Sequence, residues 1–141
     1  INFLFSANKG LKPEALNKVA SGGEMSRVML AIKAIMAKTK SLPTIIFDEI
    51  DTGVSGETAG KIGEILKNMG AYLQVISITH SPQIASQGTH HLKVYKQVEN
   101  DKTQSKLIAL NANERITEIA RLLSGETISE AAIANAKSLL N

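Results

Sequence analysis

The feature that most constrains the fold is a pair of apolar segments separated by one helical segment. Residues 44–47, Thr-Ile-Ile-Phe, form a continuous apolar run that is typical of a buried central strand. From about Glu57 to Met69, apolar residues recur at helical spacing, and Gly70 follows as a stop signal. Residues 73–78 predict a second buried strand. Because a strand–helix–strand connection of this kind is right-handed, the pattern predicts a βαβ unit whose two strands are parallel.

Two further elements are predicted before this unit. Residues 2–7 predict a short strand. Ser21 and Glu24 have the spacing of a capping box, and the apolar positions that follow, as far as Met36, recur at helical spacing. Pro43 ends that helix. We interpret the opening inside a strand, without Met, as that of a piece of a longer protein.

A hairpin and two helices are predicted after the βαβ unit. Residues 91–98 and 103–110 have strand composition and flank a polar turn, which predicts a β-hairpin. Helices at about Glu114–Leu123 and Ser129–Leu140 complete the chain. Residues 127–130, Thr-Ile-Ser-Glu, have the spacing of a second capping box.

The composition narrows the class of protein. A chain of 141 residues suits one domain, and none of its apolar stretches approaches the ~20 residues of a membrane helix. Aromatic residues make up only 4%, so we expect an aliphatic core. The absence of Cys excludes disulfides and thiolate metal sites and fits a cytoplasmic protein. The net charge of +3 is spread along the chain, which does not predict a concentrated nucleic-acid footprint.

The first candidate for chemistry is the pair of acids, Asp48 and Glu49, at the end of the first strand of the βαβ unit. Ligands of open α/β sheets bind at the carboxyl ends of strands, where these two side chains are held. Asp48 is a candidate ligand of Mg²⁺, which prefers oxygen ligands. Glu49 is a candidate base for a water that attacks a phosphate. The alternative is two solvated acids at the start of a loop.

Residues 21–24, Ser-Gly-Gly-Glu, and His80 are the other candidates. A helix N-terminus after two glycines presents free backbone N–H groups to an anion, and Ser21 can donate to a phosphate oxygen. The alternative for this segment is a simple helix cap. His80 follows the second strand of the βαβ unit, so parallel pairing brings it beside the two acids as a partner for a phosphoryl group. The alternative is a structural histidine. The three His residues lack metal-ligand spacing, so no zinc site is predicted.

The phosphate loop of P-loop nucleotide-binding proteins is absent from the sequence. No Gly-x-x-x-x-Gly-Lys-[Ser/Thr] occurs, and neither does a Rossmann glycine fingerprint or a Gly-x-Ser-x-Gly elbow. The pair Gly60-Lys61 lies inside a predicted helix and does not replace it. The chain therefore lacks the backbone cradle and the Lys that supply most of the affinity for a nucleotide.

In their order along the chain, these motifs resemble the second half of an ABC-type ATPase head. Ser-Gly-Gly-Glu matches the signature motif, Asp48-Glu49 the Walker B motif, Asp51 the D-loop and His80 the switch histidine. Asp-Glu-Ile-Asp is similar to SMC-type heads, whereas ABC transporters usually have Asp-Glu-Pro. The RecN family of SMC-like DNA-repair ATPases is the most similar. The segments that carry this resemblance are residues 3–8, 19–27, 47–56, 79–85 and 116–125.

The resemblance implies an α/β fold, the P-loop NTPase head of ABC/SMC type. Residues 1–141 are then one domain, the C-terminal lobe of such a head without its Walker A lobe, with a βαβ core, a β-hairpin and C-terminal helices. In that family, two heads sandwich two ATP molecules. The signature residues bind the nucleotide held by the opposite head, and they are Ser21, Gly22, Gly23 and Glu24.

The remaining roles implied by the resemblance belong to the chain's own head. Asp48 serves Mg²⁺, Glu49 serves the attacking water, and His80 senses the γ-phosphate. Asp51 lies at the seam between the two heads.

The resemblance also implies cofactors, partners and location. The cofactors are ATP and Mg²⁺ in the full-length protein. The partners are the Walker A lobe of the same protein, a second head in a homodimer, and DNA through the full-length protein, with no membrane. The expected setting is double-strand-break repair in the bacterial cytoplasm, at the nucleoid. By itself, the chain is expected not to hydrolyse ATP because it lacks Walker A. Three alternatives remain: a head lobe of another SMC- or RecF-like ATPase, a non-catalytic interaction module, and a stand-alone small-molecule enzyme.

Overall fold

The computed structural model describes residues 3–6, 10, 12–16, 22–40, 42–99 and 102–141. The chain divides into two compact units, Ile1–His80 and Ser81–Asn141. The single domain over residues 1–141 stays a prediction. Within the described ranges, no helix is both long and apolar enough to cross a membrane.

The first unit contains the predicted βαβ arrangement. Its elements are β1 (Leu4–Phe5), β2 (Glu14–Ala15), α1 (Gly22–Lys40), β3 (Thr44–Asp48), α2 (Gly56–Met69) and β4 (Gln74–Ile78). Strands β3 and β4 are parallel, with a register that runs from Thr44 opposite Gln74 to Asp48 opposite Ile78. The parallel pairing is therefore confirmed. Strand β1 is shorter than the predicted strand and pairs antiparallel with β2, which the sequence did not predict.

The prediction that β3 and β4 are buried strands is wrong for the described part of the sheet. Burial alternates along both strands, so Phe47 is 1% exposed whereas Ile46 is 58% exposed. On β4, Ile76 and Ile78 are also exposed, at 41% and 53%. The sheet formed by the described residues has two strands. Helix α2 covers one of its faces with buried residues, which are Ala59, Ile62, Gly63, Leu66 and Met69.

The core of the first unit is aliphatic except at one position. Phe47 is the largest of its fully buried side chains, so the expectation of a purely aliphatic core is wrong here. The Nζ atom of Lys33, on helix α1, lies 5.4 Å from the centroid of the Phe47 ring. An ammonium over a ring face at this distance is attracted by the ring's electrons. This contact links α1 to β3, the strand whose last residue is the candidate acid Asp48.

The second unit contains the predicted hairpin and helices. Its elements are α3 (Pro82–Ala85), β5 (Leu92–Glu99), β6 (Lys102–Ala109), α4 (Ala112–Ser124) and α5 (Glu130–Leu140). Strands β5 and β6 pair antiparallel, which confirms the hairpin. Its core joins α4 to α5 through Ile119, Ala120, Ala132 and Ala136.

The helix caps of the second unit differ in part from the prediction. Asn111 caps α4, and its side chain accepts from the backbone N–H groups of Asn113 and Glu114. The Glu114 carboxylate in turn accepts from the Asn111 N–H, which completes a capping box that the sequence analysis missed. The predicted box at residues 127–130 is wrong, because Ser129 is the cap of α5 and accepts from the Ala132 N–H at 3.2 Å.

A buried carboxylate joins the hairpin to helix α4. Glu118 is only 7% exposed, and it accepts from Lys93 at 2.5 Å and from Arg121 at 2.6 Å. Burial raises the pKa of Glu118, but the hydrogen bonds and positive charges of Arg121 and Lys93 together outweigh burial. The pKa of this carboxyl therefore lies below its ordinary value.

Candidate functional site

The two predicted acids lie together at one end of the parallel sheet. Asp48 is the last residue of β3, and Glu49 follows it directly. Both side chains are exposed. Because β3 and β4 are parallel and Asp48 is opposite Ile78, the residues that follow β4 reach the same end of the sheet. The βαβ unit thus brings the acids and the segment around His80 together, as the sequence predicted.

Glu49 has an unusual backbone conformation. Its φ angle is +48°, and it is the only non-glycine residue of the described ranges that has a positive φ. Side chains with a Cβ rarely adopt this left-handed region, at a cost of roughly 1–2 kcal/mol. Hydrogen bonds hold the conformation in place. The Glu49 N–H donates to the Ile78 carbonyl at 3.0 Å, and its own carbonyl accepts from both the N–H and the hydroxyl of Thr52.

Asp51 lies inside the first unit. It is 1% exposed, and its Oδ2 atom accepts a hydrogen bond from the Thr79 hydroxyl at 2.6 Å. Its backbone carbonyl accepts from the Val54 N–H at 2.9 Å, which closes the loop between β3 and α2. The hydrogen bond to Thr79 turns the carboxylate inward, and the place of Asp51 at a seam between two heads stays a prediction. Exposed residues of the same loop are Thr52 and Gly53.

His80 is close to Asp51 and open to solvent. Its Nδ1 atom lies 4.0 Å from the Asp51 Oδ2 atom, and its side chain is 72% exposed. This distance is longer than a hydrogen bond, so the two groups interact through charge when the imidazole is protonated. Sequence reasoning found His80 and Asp51 but missed Thr79, which connects them. The signal in the sequence was the position of Thr79, a hydroxyl residue between the predicted strand at residues 73–78 and the candidate histidine.

The signature segment lies next to the acidic loop. Ser21 is outside the described residues, and helix α1 begins at Gly22, so the predicted helix start is confirmed for residues 22–24. A Cβ placed on Gly23 would lie 3.5 Å from the Thr52 carbonyl oxygen, whereas one placed on Gly22 would meet nothing within 4 Å. The first turn of α1 therefore packs close to the loop that follows Glu49, with open space at Gly22. Glu24 lines a hollow of about 320 Å³ on the flank of α1, with Phe5, Arg27, Val28 and Ala31.

The described residues contain no group of three or more side chains that could hold a metal ion by themselves. Mg²⁺ does not need one, because it keeps several waters and is commonly bound by one or two carboxylates together with substrate phosphates. The exposed carboxylates of Asp48 and Glu49 fit such a partial set.

A second polar cluster lies within the second unit. His90, His91, Thr89 and Arg115 line a hollow of about 260 Å³ beside the start of α4. Burial lowers the pKa of His91, and the nearby charge of Arg115 lowers it further, so this imidazole is neutral at neutral pH. Arg115 donates to the carbonyls of Ser86 and Gly88 and thereby anchors the segment between α3 and β5.

Curated bacterial proteins match the whole chain. A protein of Rickettsia typhi is 50% identical over 141 residues, which are 100% of this chain and 26% of the relative. A protein of Vibrio cholerae is 46% identical over 140 residues, 99% of this chain and 25% of the relative. A protein of Bacillus subtilis is 41% identical over 140 residues, 99% of this chain and 24% of the relative. Each bears the name DNA repair protein RecN. No family model matches the chain.

The chain spans about a quarter of the length of the curated relatives that it matches, and it corresponds to their C-terminal part. Solved SMC head structures share its fold. The SMC head of Pyrococcus yayanosii, with a coiled coil and joint, has a TM-score of 0.67 at 20% identity and covers 84% of this chain and 21% of that one. A structure from work on ATP-driven dimerisation and DNA-stimulated activation of SMC ATPases has a TM-score of 0.62 at 19% identity, covering 84% of this chain and 70% of that one.

The SMC heads are only 19–20% identical to this chain, so they establish its fold. The RecN relatives, at 41–50% identity, establish its kinship. Both agree with the order of motifs along the chain, from the glycines of α1 to His80. The chain is therefore homologous over its whole length to the C-terminal part of RecN proteins, and it has the fold of an SMC head domain.

Proposed function

We propose that this chain supplies the hydrolytic half of a composite ATP site, in a RecN-type protein that acts in DNA double-strand-break repair. The observation that carries the proposal is the placement of Glu49. Its carboxylate is exposed at the carboxyl end of a parallel strand, and hydrogen bonds to Ile78 and Thr52 fix a backbone conformation that is otherwise unfavourable. Local strain of this kind, held by its surroundings, is common at active sites.

Glu49 acts as the general base in this proposal. Its carboxylate takes a proton from water while the water oxygen attacks the γ-phosphorus of ATP, and the bond to the β,γ-bridging oxygen breaks to release ADP and phosphate. His80, which is exposed at the same end of the sheet, donates a hydrogen bond to a γ-phosphate oxygen. Asp48 is the residue that would hold Mg²⁺, and the ion, when bound, supplies neutralisation of the phosphate charge.

The signature segment serves a nucleotide on a second head. The open space at Gly22 lets another chain and its phosphate approach the first turn of α1, where backbone N–H groups lack intrahelical acceptors. Ser21, Gly23 and Glu24 complete the segment. A homodimer of heads is therefore part of the proposal, and so is the Walker A lobe, because no phosphate loop occurs in the sequence. DNA is bound by the full-length protein, in the cytoplasm at the nucleoid.

The test is to co-express this chain with the Walker A half of the same parent protein and to measure ATP hydrolysis. We expect activity only when both halves are present. We expect Glu49→Gln to lower kcat by at least ~100-fold, the range of general-base effects. Glu64→Gln is the matched control, because Glu64 is an exposed acid on α2, and we expect this variant to keep its activity.

Two results would contradict the proposal. Hydrolysis by this chain alone would show that the site needs no Walker A lobe. A soluble, folded complex of both halves without ATPase activity would remove the enzymatic function and favour a non-catalytic interaction module.

A further inference from the structure

The hydrogen bond between Thr79 and Asp51 joins the end of β4 to the loop that follows β3. The Thr79 hydroxyl donates to the Asp51 Oδ2 atom at 2.6 Å, and the Asp51 side chain is 0% exposed. We propose that Thr79 is a positioning residue for the proposed hydrolysis and that it acts through Asp51 to hold Glu49 and His80 in a fixed relation. This inference rests on the proposed function, because the reaction that it serves is the one assigned there.

The contact between Thr79 and Asp51 is strong. A hydrogen bond to an ionised carboxylate is shorter than one between neutral groups and about twice as strong. A carboxylate that is removed from water depends on such donors, because burying it without them is costly. Thr also has a stiff χ1 angle, so its hydroxyl is held in place rather than sampled among rotamers.

The contact belongs to a set of hydrogen bonds that join the loop after β3 to the end of β4. The Glu49 N–H donates to the Ile78 carbonyl, and the Thr52 N–H donates to the Glu49 carbonyl at 3.2 Å. Asp51 lies between Glu49 and Thr52 in the same loop, and its side chain contacts the end of β4 by accepting a hydrogen bond from Thr79. The loop that carries Glu49 is therefore anchored to the end of β4 both through backbone atoms and through side chains.

His80 lies next to this set of hydrogen bonds. His80 is the next residue after Thr79, and its Nδ1 atom lies 4.0 Å from the same Asp51 oxygen that Thr79 binds. A shift of the imidazole toward or away from a ligand therefore pulls on Thr79 and, through Asp51, on the loop of Glu49. If the Thr79 hydroxyl is lost, the backbone contact remains but this hydrogen bond to Asp51 is gone.

The experiment uses two substitutions of Thr79 that differ in one group. Thr79→Val keeps the shape and removes the donor, whereas Thr79→Ser keeps the donor and removes a methyl group. In the two-part head, we expect Thr79→Val to lower kcat by about tenfold or more, from the loss of a hydrogen bond to a charged group, with KM within about twofold. We expect Thr79→Ser to stay within about threefold of the unsubstituted protein.

A second measurement needs no ATPase activity and is made on this chain alone. Amide hydrogen exchange at Thr52 and Val54 reports on the loop, because both N–H groups donate within it. We expect exchange at these amides to rise by about 10- to 100-fold in Thr79→Val and to change little in Thr79→Ser.

The outcomes separate this inference from the proposed function. An inactive two-part head refutes the proposed function, and with it the role in hydrolysis, while the exchange data still decide whether the anchor exists. Unchanged exchange in Thr79→Val overturns the anchor. Faster exchange with an unchanged kcat overturns the positioning role, and so does an equal loss of kcat in Thr79→Val and Thr79→Ser.

Discussion

The left-handed conformation of Glu49 leads to a stability prediction with an inverted sign. At most positions, replacing Ala by Gly destabilises a protein, because Gly gains more conformational freedom on unfolding. At Glu49, φ is +48°, so a side chain with a Cβ is unfavourable there and Gly is not. We therefore compare Glu49→Ala with Glu49→Gly. Both remove the carboxylate, and they differ only in the Cβ.

The expected magnitude follows from two opposing contributions. Gly removes a left-handed penalty of roughly 1–2 kcal/mol. Gly also increases the conformational entropy of the unfolded chain, which lowers the free energy of unfolding by about 0.4–1 kcal/mol. Glu49→Gly is thus expected to be more stable than Glu49→Ala by about 0.5–1 kcal/mol. The hydrogen bonds that fix this residue use its backbone N–H and carbonyl, so both variants retain them.

The assay is equilibrium unfolding in urea of four variants, which are the Ala and Gly substitutions of Glu49 and, as a matched pair, those of Glu64. Glu64 is exposed and lies within α2 (Gly56–Met69), where Glu64→Gly is expected to be less stable than Glu64→Ala by about 0.8–1.0 kcal/mol. The difference between Gly and Ala should therefore change sign between the two positions.

The same sign at both positions would refute the reasoning, since it would mean that Glu49 is not held in the left-handed region. Both Glu49 variants should also abolish the ATPase activity of the two-part head. A gain in stability that accompanies a loss of activity would identify this conformation as one retained for function rather than for folding.

Three further predictions concern other sites. Glu118→Gln should lower the free energy of unfolding at neutral pH by about 1–3 kcal/mol, because Lys93 and Arg121 lose a buried anion. The folded-state pKa of Glu118 is lowered, so its contribution to the free energy of unfolding is complete above the ordinary glutamate pKa of about 4.3 and is lost as the pH falls through the lower, folded-state value. The free energies of unfolding of the variant and the unsubstituted chain, measured in urea, should therefore converge in acid. A constant difference at all pH values would contradict this. Asn111→Ala should cost about 1 kcal/mol by removing the cap of α4, measured as a shift in the urea midpoint, and an unchanged midpoint would contradict it. Gly22→Ala should leave the unfolding free energy within about 0.5 kcal/mol, because a Cβ there meets nothing within 4 Å, yet lower ATP hydrolysis by the two-part head, and normal hydrolysis would exclude the signature role.

The elements that could be predicted from the sequence are those whose pattern is local. Helical spacing gave α1 and α2, and the polar turn gave the hairpin, because each depends on neighbours within a few residues. The parallel pairing of β3 and β4 was also predictable, since the crossover rule has one dominant hand. Burial of those strands was not. An apolar run does not reveal how many faces of a sheet are covered, and Ile46 proved to be exposed.

The shared location of the candidate residues was predictable from the sequence, whereas the contacts among them were not. Asp48 ends β3, Glu49 follows it, and His80 comes after β4, so their shared location came from the topology. The inward direction of Asp51 and its hydrogen bond with Thr79 depend on side-chain geometry across 28 residues of sequence, which no local pattern contains. Likewise, the cap of α5 lies at Ser129 because helix ends are set by competing hydroxyls within a few positions, and the sequence offered two of them.

The separation in sequence between paired strands has a consequence for the order of folding. Glu99 pairs with Lys102 in the hairpin, whereas Thr44 pairs with Gln74 in the parallel sheet. Loop-closure entropy grows with the logarithm of loop length, so the tenfold longer closure costs about 2 kcal/mol more before any contact offsets it. Hairpins form within microseconds, and non-local parallel pairing is slower. A newly folding chain is thus expected to complete its hairpin before it brings Glu49 and His80 to the same end of the parallel sheet.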